Sequence, residues 1–203
     1  MKRVIPFTIV MLAALSFTLG FANTGFSETG SGTLPSFNTV SENGVTLSAR
    51  RLPEEFLVNE YGKKSNPFLT LGFRDLMVLE VKVTSDAESR LLSESIVLDL
   101  GKESLKPISP MRMRNYWRRK LKNNRSDSYT LDRYSGWTYG KTSIRIRQNV
   151  LPSRKTLGAD SEHTFYMVFP ETDIDSSSNA TLYVPVFSKS GGALSEVSVD
   201  IKI

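Results

Sequence analysis

The chain has no cysteine and one histidine, His163. Disulfides are therefore excluded, so stability must come from apolar burial and strand pairing. The lipobox cysteine that anchors bacterial lipoproteins is also absent, and a released chain is expected. One histidine without cysteine removes Cys–His nucleophiles and the usual zinc sets. A Ser–His–Asp triad would have to use His163. That residue opens an apolar strand, and no Gly-x-Ser-x-Gly elbow exists, so a structural, neutral role is expected. No glycine-rich phosphate loop follows a strand. Glu54 and Glu55 are neighbours that would point apart on a strand, which leaves no carboxylate pair for hydrolysis. The inventory predicts no enzyme and no cofactor.

Long apolar runs are scarce too. The one run of note is Val4 to Leu19, preceded by Lys2 and Arg3 and closed by the small-residue pattern Gly20-Phe21-Ala22. A basic end, a short hydrophobic segment and such a cut site spell a secretory signal peptide over 1–22. The style is bacterial, and the destination expected is the periplasm or the exterior. No later run reaches membrane-spanning length.

Acidic residues are rare in one stretch. Between Lys102 and Lys155 there are 15 Lys and Arg against three acids, Glu103, Asp127 and Asp132, a net of +12. With +5 overall and +2 in the first 22 residues, the rest of the mature chain carries −9. One basic block sits in an otherwise acidic protein.

What is present is mainly period-two alternation. Residues 23–43 are rich in Ser, Thr and Gly and read as a flexible lead-in. Beyond them Val45-Leu47-Ala49, Met77-Leu79-Val81-Val83, Ile96-Leu98-Leu100, Ile144-Ile146 and Val197-Val199-Ile201-Ile203 recur at every second position, with mostly polar residues and Val78 and Val97 between them. Each such run makes a strand with one dry and one wet face. Phe165 to Phe169 is apolar on both faces and suits a central strand. Leu182 to Phe187 contains Pro185, which suggests an edge. Turn residues at 85–88, Gly101-Lys102, 175–179 and Gly191-Gly192 separate the runs. The prediction is an all-β, Ig-like antiparallel β-sandwich over 44–203.

The segment at about 107–141 breaks this pattern and reads as an insertion between strands. In Pro110–Asn123, Met113, Tyr116, Trp117 and Leu121 form one helical stripe, with Arg112, Arg114, Arg118, Arg119 and Lys122 around the remainder. Pro110 suits a helix start. Two readings stand. The stripe packs on the sandwich while the cations face water, or the helix projects and presents Arg112, Arg114, Tyr116, Trp117, Arg118, Arg119 and Lys122 to an anionic partner. Tyr134 to Gly140 reads either as an aromatic platform for carbohydrate or as a glycine turn whose rings cap the sandwich. Asp173, Asp175, Ser177 and Asn179 alternate like a calcium loop, but its glycine and distal glutamate are missing, so a polar turn is expected.

Residues 76–108 carry a VLEVKV strand, a polar turn, a second strand and the hairpin from Asp99-Leu100-Gly101-Lys102 to Leu105-Lys106-Pro107. With Leu151-Pro152, Phe165 to Pro170 and Thr181 to Val184, this resembles the DUF4352-like group of exported Ig-like bacterial domains. The resemblance covers about half the mature chain and implies fold rather than activity. The function expected is a non-enzymatic binding or assembly module of the cell envelope, meeting an envelope protein or an anionic surface, lipid or polyanion, and no nucleic acid. The alternatives are an envelope hydrolase with unpaired carboxylates, or a structural subunit assembling through the lead-in or the edge at Pro185.

Overall fold

The computed structural model describes residues 34–64, 66–72, 74–123, 129–172 and 179–202, with backbone alone for 122–123 and 129–137. The segment 1–22 expected to be a signal peptide, and Asp173, Asp175 and Ser177, lie outside the described residues.

Two antiparallel sheets form the body. The first is built from β1 (Asn38–Glu42), β2 (Val45–Arg51), β3 (Thr70–Leu71), β4 (Arg74–Ser85) and β9 (His163–Pro170), in the order β1-β2-β4, with β3 and β9 also on β4. The second contains β5 (Ser89–Leu92), β6 (Val97–Asp99), β7 (Ser104–Leu105), β8 (Arg154–Leu157), β10 (Asn179–Ser188) and β11 (Ala193–Lys202), centred on β10. Leu47, Leu79, Val81, Phe165, Met167 and Phe169 of the first sheet meet Leu91, Leu98, Leu182, Val186 and Val199 of the second in one core. The alternation in sequence becomes the inner face of a sandwich, because successive side chains leave a strand on opposite sides.

The chain places its helices on the outer face of the first sheet. These are α1 (Glu54–Tyr61), α2 (Pro110–Asn123) and α3 (Tyr129–Asn149). Leu76 and Val78 of β4 and Tyr166 and Val168 of β9 point to this side. With Leu52, Leu57, Phe68, Ile108, Met113, Trp117, Ile146 and Val150 they make a second core. The first sheet is thus buried on both faces where the helical cap lies over it.

Local chemistry explains the helices. Glu54 and Glu55 occupy the first turn of α1, where acids complement the helix dipole, and Gly62 closes it at φ 78°. They stand on a helix, not on a strand. At α2, the Arg112 amide donates to Ser109 Oγ at 3.3 Å, a side-chain cap ahead of Pro110 at the first helical position.

Several expectations are corrected. Ser143 to Arg147 belongs to α3 rather than to a strand, so the helical segment runs to Asn149. The residues that bury are Thr142, Ser143, Ile146 and Val150, a helical spacing that the pair Ile144 and Ile146 masked. Tyr134 to Gly140 is likewise helical, not a glycine turn. The lead-in ends earlier than read. Asn43-Gly44, at φ 50° and 75°, forms a two-residue hairpin turn that pairs β1 with β2. Ahead of β1, Arg50 stacks on the Phe37 ring at 4.2 Å and donates to the Pro35 carbonyl at 3.3 Å.

Pro185 is not on an edge strand. β10 pairs β11 along one side, and on the other it pairs β6 at 181–183 and β5 at 186–188. The proline falls in the break between those two partners, where no ladder bond is required of it. Phe165–Phe169 is buried on both faces as read, yet β9 lies outermost beside β4. The parallel bridge Val150–Tyr166 and α3 cover its far side.

Candidate functional site

The basic helix α2 sends side chains into the cap core. Met113 is fully buried and Trp117 is 3% exposed, so Trp117 belongs to the cap core and does not meet a partner as a projecting side chain would. Tyr116 is half-buried, its ring edge-on to Trp117 at 5.7 Å. Arg114 is half-buried and its Nε donates to Ser143 Oγ at 3.1 Å, tying α2 to α3. The expectation of a projecting insertion is corrected: Met113, Tyr116, Trp117 and Leu121 pack against the cap core, and Arg114 is tied to α3.

Arg112, Arg118 and Arg119 remain exposed. The four ion pairs among the described residues are Arg50–Glu80, Arg51–Glu171, Lys82–Glu162 and Lys189–Glu88, and none uses Arg112, Arg118 or Arg119. Lys120 turns back over the ring of Trp117, with Nζ 4.7 Å from the centroid. The side chain of Lys122 lies outside the described residues. From α3, Arg147 adds a further exposed cation, while Arg145 donates to the Tyr61 carbonyl at 3.0 Å and ties α3 to α1.

Beside Trp117 a cleft of about 490 Å³ opens between α1, the 63–71 segment and α2. Leu52, Leu57, Leu76 and Trp117 are its buried lining, and Arg51, Glu54, Lys63, Asp75, Lys120 and Glu171 its charged lining. Arg51 and Glu171 satisfy one another at 2.7 Å. Asn66 is fully engaged: its amide donates to the Leu57 and Gly62 carbonyls at 2.8 and 2.9 Å, and its carbonyl oxygen accepts from the Phe68 amide at 3.0 Å. Its lining comes from five separate stretches of chain, and no local motif announces it.

Two tyrosines meet inside the cap. Their hydroxyls are 3.2 Å apart in the Tyr61–Tyr166 pair. Burial pushes both phenols above their ordinary range, most strongly Tyr166, because a phenolate cannot be hydrated there. His163 accepts a hydrogen bond from the Gly158 amide through Nε2 at 3.3 Å. Burial, and then the nearby Lys155, hold its pKa below the usual value, which favours the neutral ring. Among the described residues no group of three or more His, Asp or Glu could hold a metal ion.

No family model matches the chain, and no curated protein does. Solved structures that are similar to the chain include two bacterial proteins. One is the ycdA protein of Bacillus subtilis, provisionally named a lipoprotein, at 12% identity and a TM-score of 0.42, covering 83% of this chain and 39% of that one. The other, provisionally named ApaA, is from Bordetella pertussis, at 9% identity and a TM-score of 0.34, covering 82% of this chain and 92% of that one. The chain thus spans well under half the length of the Bacillus protein.

Proposed function

We propose that this chain is a non-enzymatic binding module of the bacterial cell envelope, and that its binding surface is the outward face of α2 and α3, with an anionic partner. The observation that carries the reading is that Arg112, Arg118 and Arg119 stand exposed, outside every ion pair among the described residues, on a helix fastened by Met113 and Trp117. A cation held on a fixed helix loses less freedom on binding than one on a loose segment. The −9 carried by the rest of the mature chain orients the molecule, cap foremost, toward a negative surface. The export signal in 1–22 supplies the compartment.

The test is retention of the purified chain on an immobilised polyanion across a salt series. Retention at low salt that weakens as the Debye length shrinks to about 8 Å near 0.15 M is expected. A chain that flows through at low salt contradicts the reading.

A second reading, an envelope hydrolase, draws on the cleft, whose lining includes Glu54, Asp75 and Glu171. It expects Glu54→Gln or Asp75→Asn to abolish a hydrolytic activity measured on envelope polymers. The binding-module reading expects no such activity to begin with.

A further inference from the structure

We infer that the outward face of the α2–α3 hairpin docks on anionic lipid, with Met111 and Ile144 entering the membrane interface between the cations. This rests on the proposed anion-binding role and narrows it to one partner.

The geometry starts from the buried side. Met113 of α2 and Ile146 of α3 are both fully buried in the cap core. Successive residues are turned by about 100° on a helix, so a residue two positions away points nearly opposite. Met111 stands two positions before Met113, and Ile144 two before Ile146. Both accordingly point away from the sheet, and they are 70% and 47% exposed. The Arg114–Ser143 hydrogen bond sets these turns of the two helices side by side. Met111 is one turn before Arg114, and Ile144 follows Ser143. Arg119, two positions beyond buried Trp117, shares the outward direction, while Arg112, Arg118 and Arg147 flank it.

Among the described residues three large apolar side chains are exposed, and two of them are Met111 and Ile144. A soluble polyanion such as a sulfated or phosphorylated polymer would use the arginines and gain little from a methionine and an isoleucine standing among them. A lipid interface uses both kinds of group, because apolar side chains enter the acyl boundary while cations meet the headgroup phosphates. No described helix is long and apolar enough to cross a membrane, so the contact proposed for these helices is peripheral. The arginines set the partner's charge, and the two apolar groups select lipid among anions.

The experiment is co-sedimentation of the mature chain, without residues 1–22, with vesicles of phosphatidylcholine and with vesicles of equimolar phosphatidylcholine and phosphatidylglycerol, alongside titration with heparin as a soluble polyanion. Binding to the mixed vesicles and not to the neutral ones is expected. The double variant Met111→Ser with Ile144→Ser should lower vesicle partitioning roughly tenfold, the scale of two partly buried apolar side chains. Its heparin affinity should not change. Both sites are exposed, and a melting temperature equal to that of the wild type checks the fold. Met111→Trp should raise partitioning into the mixed vesicles. Vesicle binding untouched by either change, or heparin binding without vesicle binding, overturns the lipid assignment and leaves the anion-binding role standing. Binding to neither vesicles nor heparin removes both.

Discussion

The sandwich core and the cap core share strands β4 and β9, yet they are closed in different ways. The sandwich core is lined by aliphatic side chains, methionines and phenylalanines, nearly all from strands, with Ile96 and Leu151 beside them. The cap core is assembled from α1, the 66–71 segment, α2, α3 and the outer faces of β4 and β9, and it carries polar groups. Tyr61 and Tyr166 join hydroxyls, Asn66 ties the end of α1 to Phe68, and the Trp117 indole Nε1 is buried with no partner among the described residues. Strands bring their own hydrogen-bond ladder to the sandwich. Segments far apart in sequence need side-chain bonds to close the cap, and each polar group so used is a point where pH or substitution acts.

The largest expected effects test whether the two cores melt together. Leu79→Ala in the sandwich should cost about 2–5 kcal/mol and Trp117→Ala in the cap about 3–5 kcal/mol. Both should shift a single unfolding transition, followed in parallel by circular dichroism at helical and strand wavelengths. A Trp117→Ala chain that loses helix in a separate early step would show the cap to be an independent unit. Trp117→Phe removes the partnerless N–H along with part of the ring, so it should cost clearly less than the alanine change.

Next in size is Asn66→Ala, which leaves the Leu57 and Gly62 carbonyls and the Phe68 amide short of a partner. A loss of about 1–3 kcal/mol in denaturant titration is expected, since a buried group without its partner costs that much. A neutral result would mean that water replaces the side chain.

Opposite pH limits separate the two regions. In the cap, the folded-state pKa values of Tyr61 and Tyr166 lie above the ordinary 10.0. Their contribution is therefore complete below pH 10 and is lost as pH rises beyond it. Tyr166→Phe should flatten the alkaline fall in melting temperature. At the end of the sandwich, His163 has a folded-state pKa below the ordinary 6.5. Its contribution is present above pH 6.5 and is lost as pH falls below it. His163 is partly exposed, so this effect is the smallest. His163→Gln should remove a shallow slope in melting temperature on the acid side, and an unchanged slope would assign it to the carboxylates.

The sandwich is legible because a strand writes its dry face at every second residue, and β2, β4, β6, β10 and β11 all follow that rule. The cap is less so. Ile144 and Ile146 imitate a strand, while the true helical set, Thr142, Ser143, Ile146 and Val150, mixes polar with apolar residues. β1 has little apolar signal, and its evidence is the Asn43-Gly44 turn. In the basic helix, the stripe of Met113 and Trp117 points inward as its spacing implies. The same spacing leaves Arg112, Arg118 and Arg119 outside. Arg114 was indistinguishable from them, because its hydroxyl partner, Ser143, stands 29 residues away.

In the proposed role α2 fastens with one face and binds with the other. Its most direct test is one variant, Arg118→Glu with Arg119→Glu, measured for polyanion retention and for melting temperature side by side. Each accessible cation contributes on the order of 1 kcal/mol near an anionic surface, so reversing two should abolish low-salt retention. The melting temperature should stay at the wild-type value, because neither side chain touches the cap core. Retention equal to that of the wild type would contradict the account.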